Sequence, residues 1–544
     1  MAENDQKDTV TCTINGQEIT VPKGTRIIDA AEQLGIGIVH YCYHPALSAP
    51  AMCRMCLVEV EGAPKLQPAC TTEVGDGQVI NTEVEKAQEA RQGVLEFYLV
   101  NHPLDCPICD AAGECKLQDY VHQEGRKHGR SFEPKRVLGQ DDFGGDVRYD
   151  GDRCIMCTRC VRFMKEIAGD ERLCVVQRGN RSVIDTFFDH GLDGSPFADN
   201  ITDICPVGAL LSKDFLHKAR AWDLDRTPSV CPGCAQGCNI TLDTRDNLVM
   251  RLKPRHNPDV NSYWMCDYGR LNYEWMNRSD RVHTPQVRTS DGTLEPVGWQ
   301  DAVQRLVDRL GEVKASTDEV LVVGSPYHAN EDSALLARLL KVLGGGRAVY
   351  RSPVAEDEDV LPGFPKLVRR RDLSPNRFAL DRVFGYERVG DDGARGGLES
   401  APGVVLVFGD PLDDVPDFAA DADLFVYFGT AVSEAARKHA HFVLPVTTFA
   451  EQEGTFTNAE GRVQRFWPAA QAPTLARPGW QVLGVILAGL DDAQAPATAA
   501  DAFLRMAQIY DEFTKLTYPK IGTRGAQLDV AARVAGGVPG TGGA

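Results

Sequence analysis

Alternating apolar and polar positions at the start of the chain predict a β-hairpin. The two alternating segments, Thr9–Ile14 and Gln17–Val21, are separated by Asn15 and Gly16. Asn-Gly between such segments is typical of a two-residue hairpin turn, because both central residues need positive φ. The first two strands are therefore expected to pair antiparallel.

Helical periodicity follows in two places. Thr25 is expected to cap a helix over Ile27–Leu34 that ends at Gly35. A longer helical pattern covers Lys86–Asn101. The stretch Gly139–Gly151 is rich in Gly and Asp, and we expect it to be a loop.

The second half of the chain has a different pattern. Val320–Gly324, Val404–Phe408 and Leu424–Phe428 are short apolar runs typical of buried parallel strands. Helical patterns such as Ser333–Leu343 fall between them, and this alternation predicts an α/β region. The Gly-rich tail, residues 536–544, is expected to be disordered.

Charge and hydropathy exclude several classes of protein. The 544 residues carry a formal net charge of −19. This charge argues against nucleic acid, whose phosphates require a basic face, and against anionic lipid. No stretch approaches the roughly eighteen apolar residues of a membrane-spanning helix. The polar N-terminus lacks the features of a signal or transit peptide, so we expect a soluble cytoplasmic chain without membrane insertion.

Cysteine content is the feature that points to chemistry. All 17 cysteines lie at or before Cys266, and the rest of the 544-residue chain has none. A disulfide framework would require export, for which the sequence has no signal, so clustered cysteines indicate metal. All but two of these cysteines, together with one histidine, fall into four ligand sets.

The first set is predicted to hold a [2Fe-2S] cluster. Its members, in the spacing C-x10-C-x2-C-x13-C, are Cys42, Cys53, Cys56 and Cys70. A hairpin, a helix and then a cysteine-rich loop is the layout of a β-grasp ferredoxin, although this spacing differs from the plant-type run. A structural zinc site with four cysteine ligands is the alternative.

The second set is predicted to hold a [4Fe-4S] cluster with one histidine ligand. Its members are His102, Cys106, Cys109 and Cys115. Three thiolates are one ligand short, and His102 stands just ahead of them; a capping or surface role for His102 is the alternative. Exchange of a thiolate for neutral imidazole removes one negative charge, which is expected to raise the reduction potential.

The third set is predicted to hold another [4Fe-4S] cluster. Its first three members form the C-x2-C-x2-C run of bacterial ferredoxins, and the fourth precedes a proline, the usual closing step. The members are Cys154, Cys157, Cys160 and Cys205.

Two cysteines lie outside the sets. Cys174 competes with Cys205 as the last ligand of the third set. Because Cys174 lies in the apolar run Leu173–Val176, we predict a core thiol instead. The same interpretation applies to Cys12 on the first strand.

The fourth set is predicted to hold a third [4Fe-4S] cluster. Its members, in the spacing C-x2-C-x3-C-x27-C, are Cys231, Cys234, Cys238 and Cys266. Gly233 and Gly237 allow the close backbone turns that bring several sulfurs round one cluster. Zinc is again the alternative.

The order of these sets resembles the large iron–sulfur subunit of respiratory complex I, the NADH-quinone oxidoreductase. The resemblance is carried by Tyr41-Cys-Tyr-His-Pro45, Met52-Cys-Arg-Met-Cys56, His102-Pro-Leu-Asp-Cys-Pro-Ile-Cys109, Arg153-Cys-Ile-Met-Cys-Thr-Arg-Cys-Val-Arg162 and Thr202-Asp-Ile-Cys-Pro-Val-Gly-Ala-Leu210. Further on, Glu451-Gln-Glu-Gly-Thr-Phe-Thr-Asn-Ala-Glu-Gly-Arg462 is similar to the family's molybdopterin-oxidoreductase-like domain. The chain is shorter than typical members, which implies that much of that domain is deleted.

The resemblance implies a multidomain fold of α+β and α/β class. A β-grasp [2Fe-2S] ferredoxin-like domain (1–85) comes first, followed by a [4Fe-4S] domain with one histidine and three cysteine ligands (86–145). A bacterial-ferredoxin-like [4Fe-4S] domain (146–222) and a four-cysteine [4Fe-4S] domain of molybdopterin-oxidoreductase type (223–282) come next. A truncated, degenerate molybdopterin-oxidoreductase-like α/β domain (283–535) precedes the disordered tail (536–544).

The resemblance also implies a function. NADH reduces flavin on a neighbouring subunit, and the first three clusters relay electrons toward quinone, coupled in the whole complex to proton translocation. The fourth cluster is implied to lie off this path and to support the structure. The chain would act as an oxidoreductase subunit without catalytic residues of its own, and would bind neither NADH, quinone nor molybdopterin.

The resemblance further implies partners and a location. The partners are the flavin subunit that binds NADH, a ferredoxin-like subunit and quinone-proximal iron–sulfur subunits of the peripheral arm. Through them the chain would lie on the inner face of the bacterial cell membrane.

Two other interpretations compete. A subunit of an NAD-linked formate dehydrogenase begins with similar cluster domains, but it needs a Cys or selenocysteine metal ligand after the fourth cluster, and no cysteine follows Cys266. Such enzymes also carry a Lys two residues after the last cluster cysteine, where this chain has Tyr268. In a different class, the chain is chiefly a structural scaffold that carries clusters.

Overall fold

The computed structural model describes residues 8–186, 189–314, 319–390, 398, 403–410, 412–491 and 494–528. The chain divides into two compact units, residues 1–224 with 361–364, and residues 225–360 with 365–544. Across the described ranges, no helix combines the length and the apolar character needed to cross a membrane. The predicted disordered tail lies outside the described residues.

The first unit begins with the predicted hairpin, which is confirmed. Strands β1 (Thr9–Ile14) and β2 (Gln17–Pro22) pair antiparallel, and Asn15 and Gly16 have φ of 47° and 79° in the turn. The sheet is completed by β3 (Leu57–Val60), β4 (Gln67–Pro68) and β5 (Val79–Asn81), in the order β2-β1-β5-β3-β4.

Helix α1 (Ile27–Gln33) packs its apolar side into the core of this sheet. The prediction that Thr25 caps it was wrong. The Thr25 hydroxyl donates instead to the Pro22 carbonyl at 2.6 Å, and Arg26 takes the cap position without a side-chain bond. Gly35, with φ of 74°, ends the helix as predicted.

The rest of the first unit carries the second and third cysteine sets. The predicted helix is confirmed as α2 (Glu85–Asn101). The remaining elements are α3 (Lys116–Glu124), β6 (Gln140–Asp142), β7 (Val147–Asp150), α4 (Arg159–Arg162), β8 (Leu173–Val176), β9 (Val183–Thr186), α5 (Asn200–Ile204) and β10 (Leu210–Ser212).

The prediction of a loop over Gly139–Gly151 was wrong, because β6 and β7 form a hairpin there and join β10 in one sheet. Val147 and Tyr149 are buried while the residue between them is not, which is the period-two pattern of a strand. Glycines in the connection obscured this short alternation.

The second unit contains sixteen strands and eight α-helices within its described residues. The strands are β11 (Asp225–Val230), β12 (Asn239–Arg245), β13 (Leu248–Pro254), β14 (Gln286–Arg288), β15 (Leu294–Pro296), β16 (Val320–Gly324), β17 (Arg347–Tyr350), β18 (Asp359–Val360), β19 (Val368–Arg369), β20 (Glu387–Arg388), β21 (Gly403–Phe408), β22 (Ala422–Gly429), β23 (Phe442–Pro445), β24 (Gly454–Thr457), β25 (Arg462–Phe466) and β26 (Ala526–Gln527). The helices are α6 (Asp267–Leu271), α7 (Trp299–Lys314), α8 (Asn330–Val342), α9 (Arg377–Ala379), α10 (Glu434–His439), α11 (Gly479–Asp491), α12 (Ala499–Ile509) and α13 (Tyr518–Ile521).

An eight-stranded sheet organises this unit, with the order β15-β14-β23-β22-β21-β16-β17-β20. The three apolar runs are confirmed as the adjacent parallel strands β16, β21 and β22. Successive residues of β21 enter two different cores, so both faces of the sheet are covered. Its six parallel strands follow the doubly wound order, in which the crevice between the first and fourth strands, here β16 and β21, is the usual ligand position.

Candidate metal centres

The first cysteine set is brought together by a tight loop ahead of β3 and a cysteine that follows β4. Each thiol's titration is governed by the others: Cys42 raises the pKa of Cys53, and Cys70 lowers the pKa of Cys56. All four residues are buried. Arg54 has a positive φ of 56°, which closes the turn between Cys53 and Cys56. Four buried thiols that influence one another in this way suit a cluster.

Within the second set, His102 lies at the C-terminal end of α2. Its Nδ1 atom is buried and has no hydrogen-bond partner among the described residues. Burial, assisted by the charges of Lys135 and Arg153, lowers the pKa of His102. A neutral imidazole with an unused ring nitrogen can ligate iron, whereas a capping role would have engaged that atom.

The thiols of the second set also converge. Burial raises the pKa of Cys115, and the nearby Cys109 and Cys106 raise it further. Cys109 and Cys115 are buried, whereas Cys106 is exposed. Gly208 makes room for this set, because a Cβ atom there would lie 2.2 Å from the Cys109 sulfur.

The third set lines one cavity. Cys154, Cys157, Cys160 and Cys205 all border it, together with apolar side chains such as those of Ile155 and Ile184. Backbone at positive φ on either side of Cys157 turns the loop so that its sulfurs face inward.

Cys174 does not border that cavity. It lies on β8, where its thiol donates to the Asp185 carbonyl at 3.5 Å. Cys174 is half-buried rather than a core thiol, so that part of the prediction was wrong, whereas Cys12 is in the core of the first sheet as predicted. The cavity supports Cys205 as the fourth member of the third set.

The fourth set lies in the second unit, between β11 and α6. Its four cysteines are buried, and burial raises the pKa of Cys231 to about 12. The Gly269 N–H donates to the Cys266 sulfur at 3.3 Å, and a Cβ atom on Gly269 would lie 2.8 Å from the Cys231 sulfur. Thiols this deeply buried ionise readily only beside a cation, which iron supplies.

Two arginines in the loop of the third set donate hydrogen bonds to backbone carbonyls in the loop of the first set. Arg162 donates from Nη2 to the carbonyl oxygens of Cys42, at 2.6 Å, and Cys157, at 3.2 Å. Arg159 donates to the Tyr43 carbonyl and to the Ile204 carbonyl. Sequence reasoning missed both roles, although each arginine stands within two residues of Cys160 in the motif.

In the α/β region, side chains of the protein itself meet at the usual ligand crevice. Arg351 forms a buried ion pair with Asp410, which follows β21, and a partly exposed one with Asp414. His328, which follows β16, packs against Gly409 so closely that a Cβ atom there would lie 2.0 Å from its Nε2. With no cysteine in this region, these residues do not fit a molybdopterin and its metal.

The segment Glu451–Arg462 also has a structural role, because its charged side chains pair within the protein. Glu451 pairs with Arg281 through two hydrogen bonds of 2.7 and 2.8 Å, and both side chains are buried. The residues that follow form the β24–β25 hairpin. Because its carboxylate is paired with Arg281, Glu451 is not available to a cofactor.

Family models match five successive parts of the chain. Residues 7–85 match a 2Fe-2S iron-sulfur cluster binding domain, and residues 91–130 match the NADH-ubiquinone oxidoreductase-G iron-sulfur binding region. Residues 144–211 match the ferredoxin-like domain of NADH-quinone oxidoreductase subunit 3, and residues 224–274 match the NDSU1/NuoG-like 4Fe-4S domain of NADH-ubiquinone oxidoreductase. Residues 399–488 match molybdopterin oxidoreductase.

Several curated relatives are similar to this chain. The NADH-quinone oxidoreductase G subunit of Streptomyces coelicolor is 36% identical over 458 residues, which cover 82% of this chain and 51% of the relative. The G subunit of the same enzyme from Rickettsia bellii is 42% identical over 302 residues, or 56% of this chain and 44% of the relative. The mitochondrial NADH dehydrogenase [ubiquinone] iron-sulfur protein 1 of Solanum tuberosum is 40% identical over 338 residues, or 62% and 45%.

The chain spans about half the length of these relatives. Among solved structures, a crystal structure of an NAD+-reducing [NiFe]-hydrogenase in the H2-reduced state matches 39% of this chain and 90% of its own chain, with 28% identity and a TM-score of 0.36.

Proposed function

We propose that this chain, a homologue of the G subunits of NADH-quinone oxidoreductase, relays electrons through iron–sulfur clusters within a multisubunit enzyme of that kind. The observation that carries the proposal is the contact of Arg162 with the carbonyl oxygens of both Cys42 and Cys157. A relay needs neighbouring carriers, and one side chain here joins a ligand residue of the first set to one of the third.

The proposed ligand sets are those predicted from the sequence. A [2Fe-2S] cluster is assigned to Cys42, Cys53, Cys56 and Cys70. Three [4Fe-4S] clusters are assigned to His102, Cys106, Cys109 and Cys115; to Cys154, Cys157, Cys160 and Cys205; and to Cys231, Cys234, Cys238 and Cys266. Among the described residues no three such side chains are placed to share a single metal ion, so the assignment rests on the convergence of the sets and on the family models.

When bound, each cluster takes up and releases one electron at a time, at a potential set by its ligands and surroundings. The chain's own residues hold the ligands in place. Arg220 donates to the Cys109 carbonyl at 2.7 Å, and Arg153 pairs with Asp105 at 3.0 Å beside the same loop.

The proposed partners are the peripheral-arm subunits, namely the flavin subunit that binds NADH and the neighbouring iron–sulfur subunits. The surface around exposed Cys106 supports a partner contact. Leu104 and Ile108, which flank it, are 89% and 65% exposed. We call this pair the Leu104–Ile108 surface. Apolar side chains beside an exposed ligand suit a docked carrier that covers the cluster, and such partners would hold the chain at the membrane.

We also infer that the α/β region works without molybdopterin, because its ligand crevice is occupied by the ion pairs of Arg351. The domain bounds predicted from the sequence, 1–85, 86–145, 146–222, 223–282 and 283–535, remain part of this proposal. A formate dehydrogenase subunit would require the metal site that these residues do not provide.

The first test is metal content of anaerobically purified chain. The four sets predict about fourteen irons per chain, counted from the usual cluster types, with neither molybdenum nor tungsten. Stoichiometric molybdenum or tungsten would contradict the proposal.

The second test separates a carrier from a scaffold. In the assembled complex, Cys154→Ser is expected to remove the third cluster's paramagnetic signal and to stop electron flow from NADH to quinone. Cys174→Ser is the matched control and should change neither. If the Cys154→Ser complex assembles and electrons still reach quinone at the wild-type rate, the third cluster is not a carrier and the scaffold interpretation gains support.

A further inference from the structure

Tyr41 is a buried residue with an unused polar atom. It directly precedes Cys42, and none of its surface is exposed. Its hydroxyl oxygen has no hydrogen-bond partner among the described residues. An unsatisfied buried polar group costs about 1–3 kcal/mol, and nearly all such groups in proteins have a partner. The hydroxyl therefore needs an acceptor that the described residues do not supply.

The Tyr41 ring lies between the two helices that flank the second set. It packs edge-on against Tyr98 of α2, with ring centroids 5.2 Å apart, and at a tilt against Tyr120 of α3, at 5.3 Å. Tyr98 stands one helical turn before His102, and Tyr120 lies five residues after Cys115. A side chain from the first set's loop thus packs against both helices that flank the outer ligands of the second set.

The two neighbouring tyrosines do not share this lack of a partner. The Tyr98 hydroxyl donates to the Cys53 carbonyl at 3.4 Å. Of the three, the Tyr41 hydroxyl is the buried one that lacks a partner among the described residues.

We propose that the Tyr41 hydroxyl donates a hydrogen bond to a sulfur of the cluster held by His102, Cys106, Cys109 and Cys115. This inference rests on the proposed function, because it requires that cluster. Reduction adds one negative charge to the cluster, so the hydrogen bond is stronger in the reduced state and raises the reduction potential. Tyr41 is therefore a tuning residue that joins the backbone of one ligand set to the cluster of another.

The test is a redox titration of anaerobically purified full-length chain, followed by electron paramagnetic resonance. Tyr41→Phe keeps the ring and removes only the hydroxyl. We expect the ratio of reduced to oxidised second cluster, at a fixed potential, to fall about three- to tenfold, where tenfold corresponds to 59 mV for a one-electron couple. Tyr98→Phe is the matched control, since its hydroxyl donates to the Cys53 carbonyl, and it should leave this potential unchanged.

A second measurement begins with the wild-type chain. Wild-type chain exchanged into D2O should show a strongly coupled exchangeable deuteron in the magnetic resonance of the reduced second cluster, and Tyr41→Phe should lack it. An unchanged potential with an unchanged deuteron coupling overturns the inference, as does a shift confined to the first cluster. If wild-type chain with full iron content at the other three sets lacks the second cluster, the cluster assignment fails first, and the inference falls with it.

Discussion

The Arg162 guanidinium donates a hydrogen bond to the Cys42 carbonyl oxygen across 2.6 Å, although the two residues are 120 positions apart in the chain. The same nitrogen donates to Cys157, and Nη1 donates to the Ser48 carbonyl. Three backbone carbonyls from two ligand loops therefore depend on one cation. Together with Arg159, which bonds the Tyr43 carbonyl, this side chain ties the loop of the first set to that of the third.

Arg162→Met should loosen that placement. Loss of hydrogen bonds from a charged donor costs about 1.5–3 kcal/mol each before relaxation, so we expect lower stability of the loaded chain and slower electron transfer between the first and third clusters. Freeze-quench magnetic resonance measures the transfer rate. Arg181→Met, at an exposed position, is the control, and equal rates in the two variants would contradict the role of Arg162.

His102→Cys should retain the second cluster and lower its reduction potential. The added thiolate places one more negative charge on the cluster, and replacement of imidazole by thiolate shifts such potentials by on the order of 100 mV. Titration followed by magnetic resonance measures the shift. His122→Cys, at an exposed site on α3, should leave every potential unchanged. A cluster that keeps its potential in His102→Cys would show that His102 is not a ligand.

Gly208→Ala should displace the Cys109 sulfur, because the added Cβ would lie 2.2 Å from it. We expect loss of about four irons per chain, the content of one [4Fe-4S] cluster, measured by iron analysis. Gly93→Ala is the matched control, since nothing lies within 4 Å of a Cβ there and the site is inside α2. That control should keep all iron and gain up to about 1 kcal/mol of stability. Full iron in Gly208→Ala would refute the close approach.

Leu104→Asp combined with Ile108→Asp should weaken binding of the peripheral-arm partners at the Leu104–Ile108 surface. Charge on an apolar contact costs desolvation, and we expect at least about a tenfold rise in Kd, equivalent to about 1.4 kcal/mol. The control pair is Leu504→Asp with Ile509→Asp, which are 46% and 42% exposed on α12. Equal affinities of both pairs, measured with the purified partner subunits, would remove the surface from the proposal.

Glu331 should make stability depend on pH. Burial raises its pKa to about 8, although it accepts hydrogen bonds from Thr455 and Tyr518. The folded state therefore holds a proton that the unfolded state, with a pKa near 4.5, releases earlier. Stability should fall as pH rises from about 4.5 to about 8, by up to about 1.4 kcal/mol per pH unit, and then level off.

Denaturant unfolding of the chain across this range measures the slope. Glu331→Gln has no charge to bury, so its stability should be flatter with pH than the wild type, whatever its absolute value. Glu312→Gln, at an exposed position on α7, should keep the wild-type slope. Parallel slopes in all three proteins would show that Glu331 titrates normally.

Local signals in the sequence predicted the elements that depend on local physics. Asn15-Gly16 determines its own turn, and the short spacings within the cysteine sets, such as C-x2-C, follow from loops that bend over a few residues. Thr25 does not cap α1 because its hydroxyl donates to the Pro22 carbonyl instead. The contacts of Arg162 and Tyr41 could not be predicted, because their partners lie far away along the chain and are neighbours only through the fold.

The ion pairs at the ligand crevice of the α/β region have a consequence for assembly. Arg351 already satisfies Asp410 and Asp414, and Glu451 is satisfied by Arg281. These buried charges need no guest to neutralise them, so we expect this part of the α/β region to fold before any iron is delivered. The cysteine loops, whose thiolates would repel one another without iron, are expected to order only when iron is bound. Folding of the α/β region and insertion of the clusters would then be separate steps.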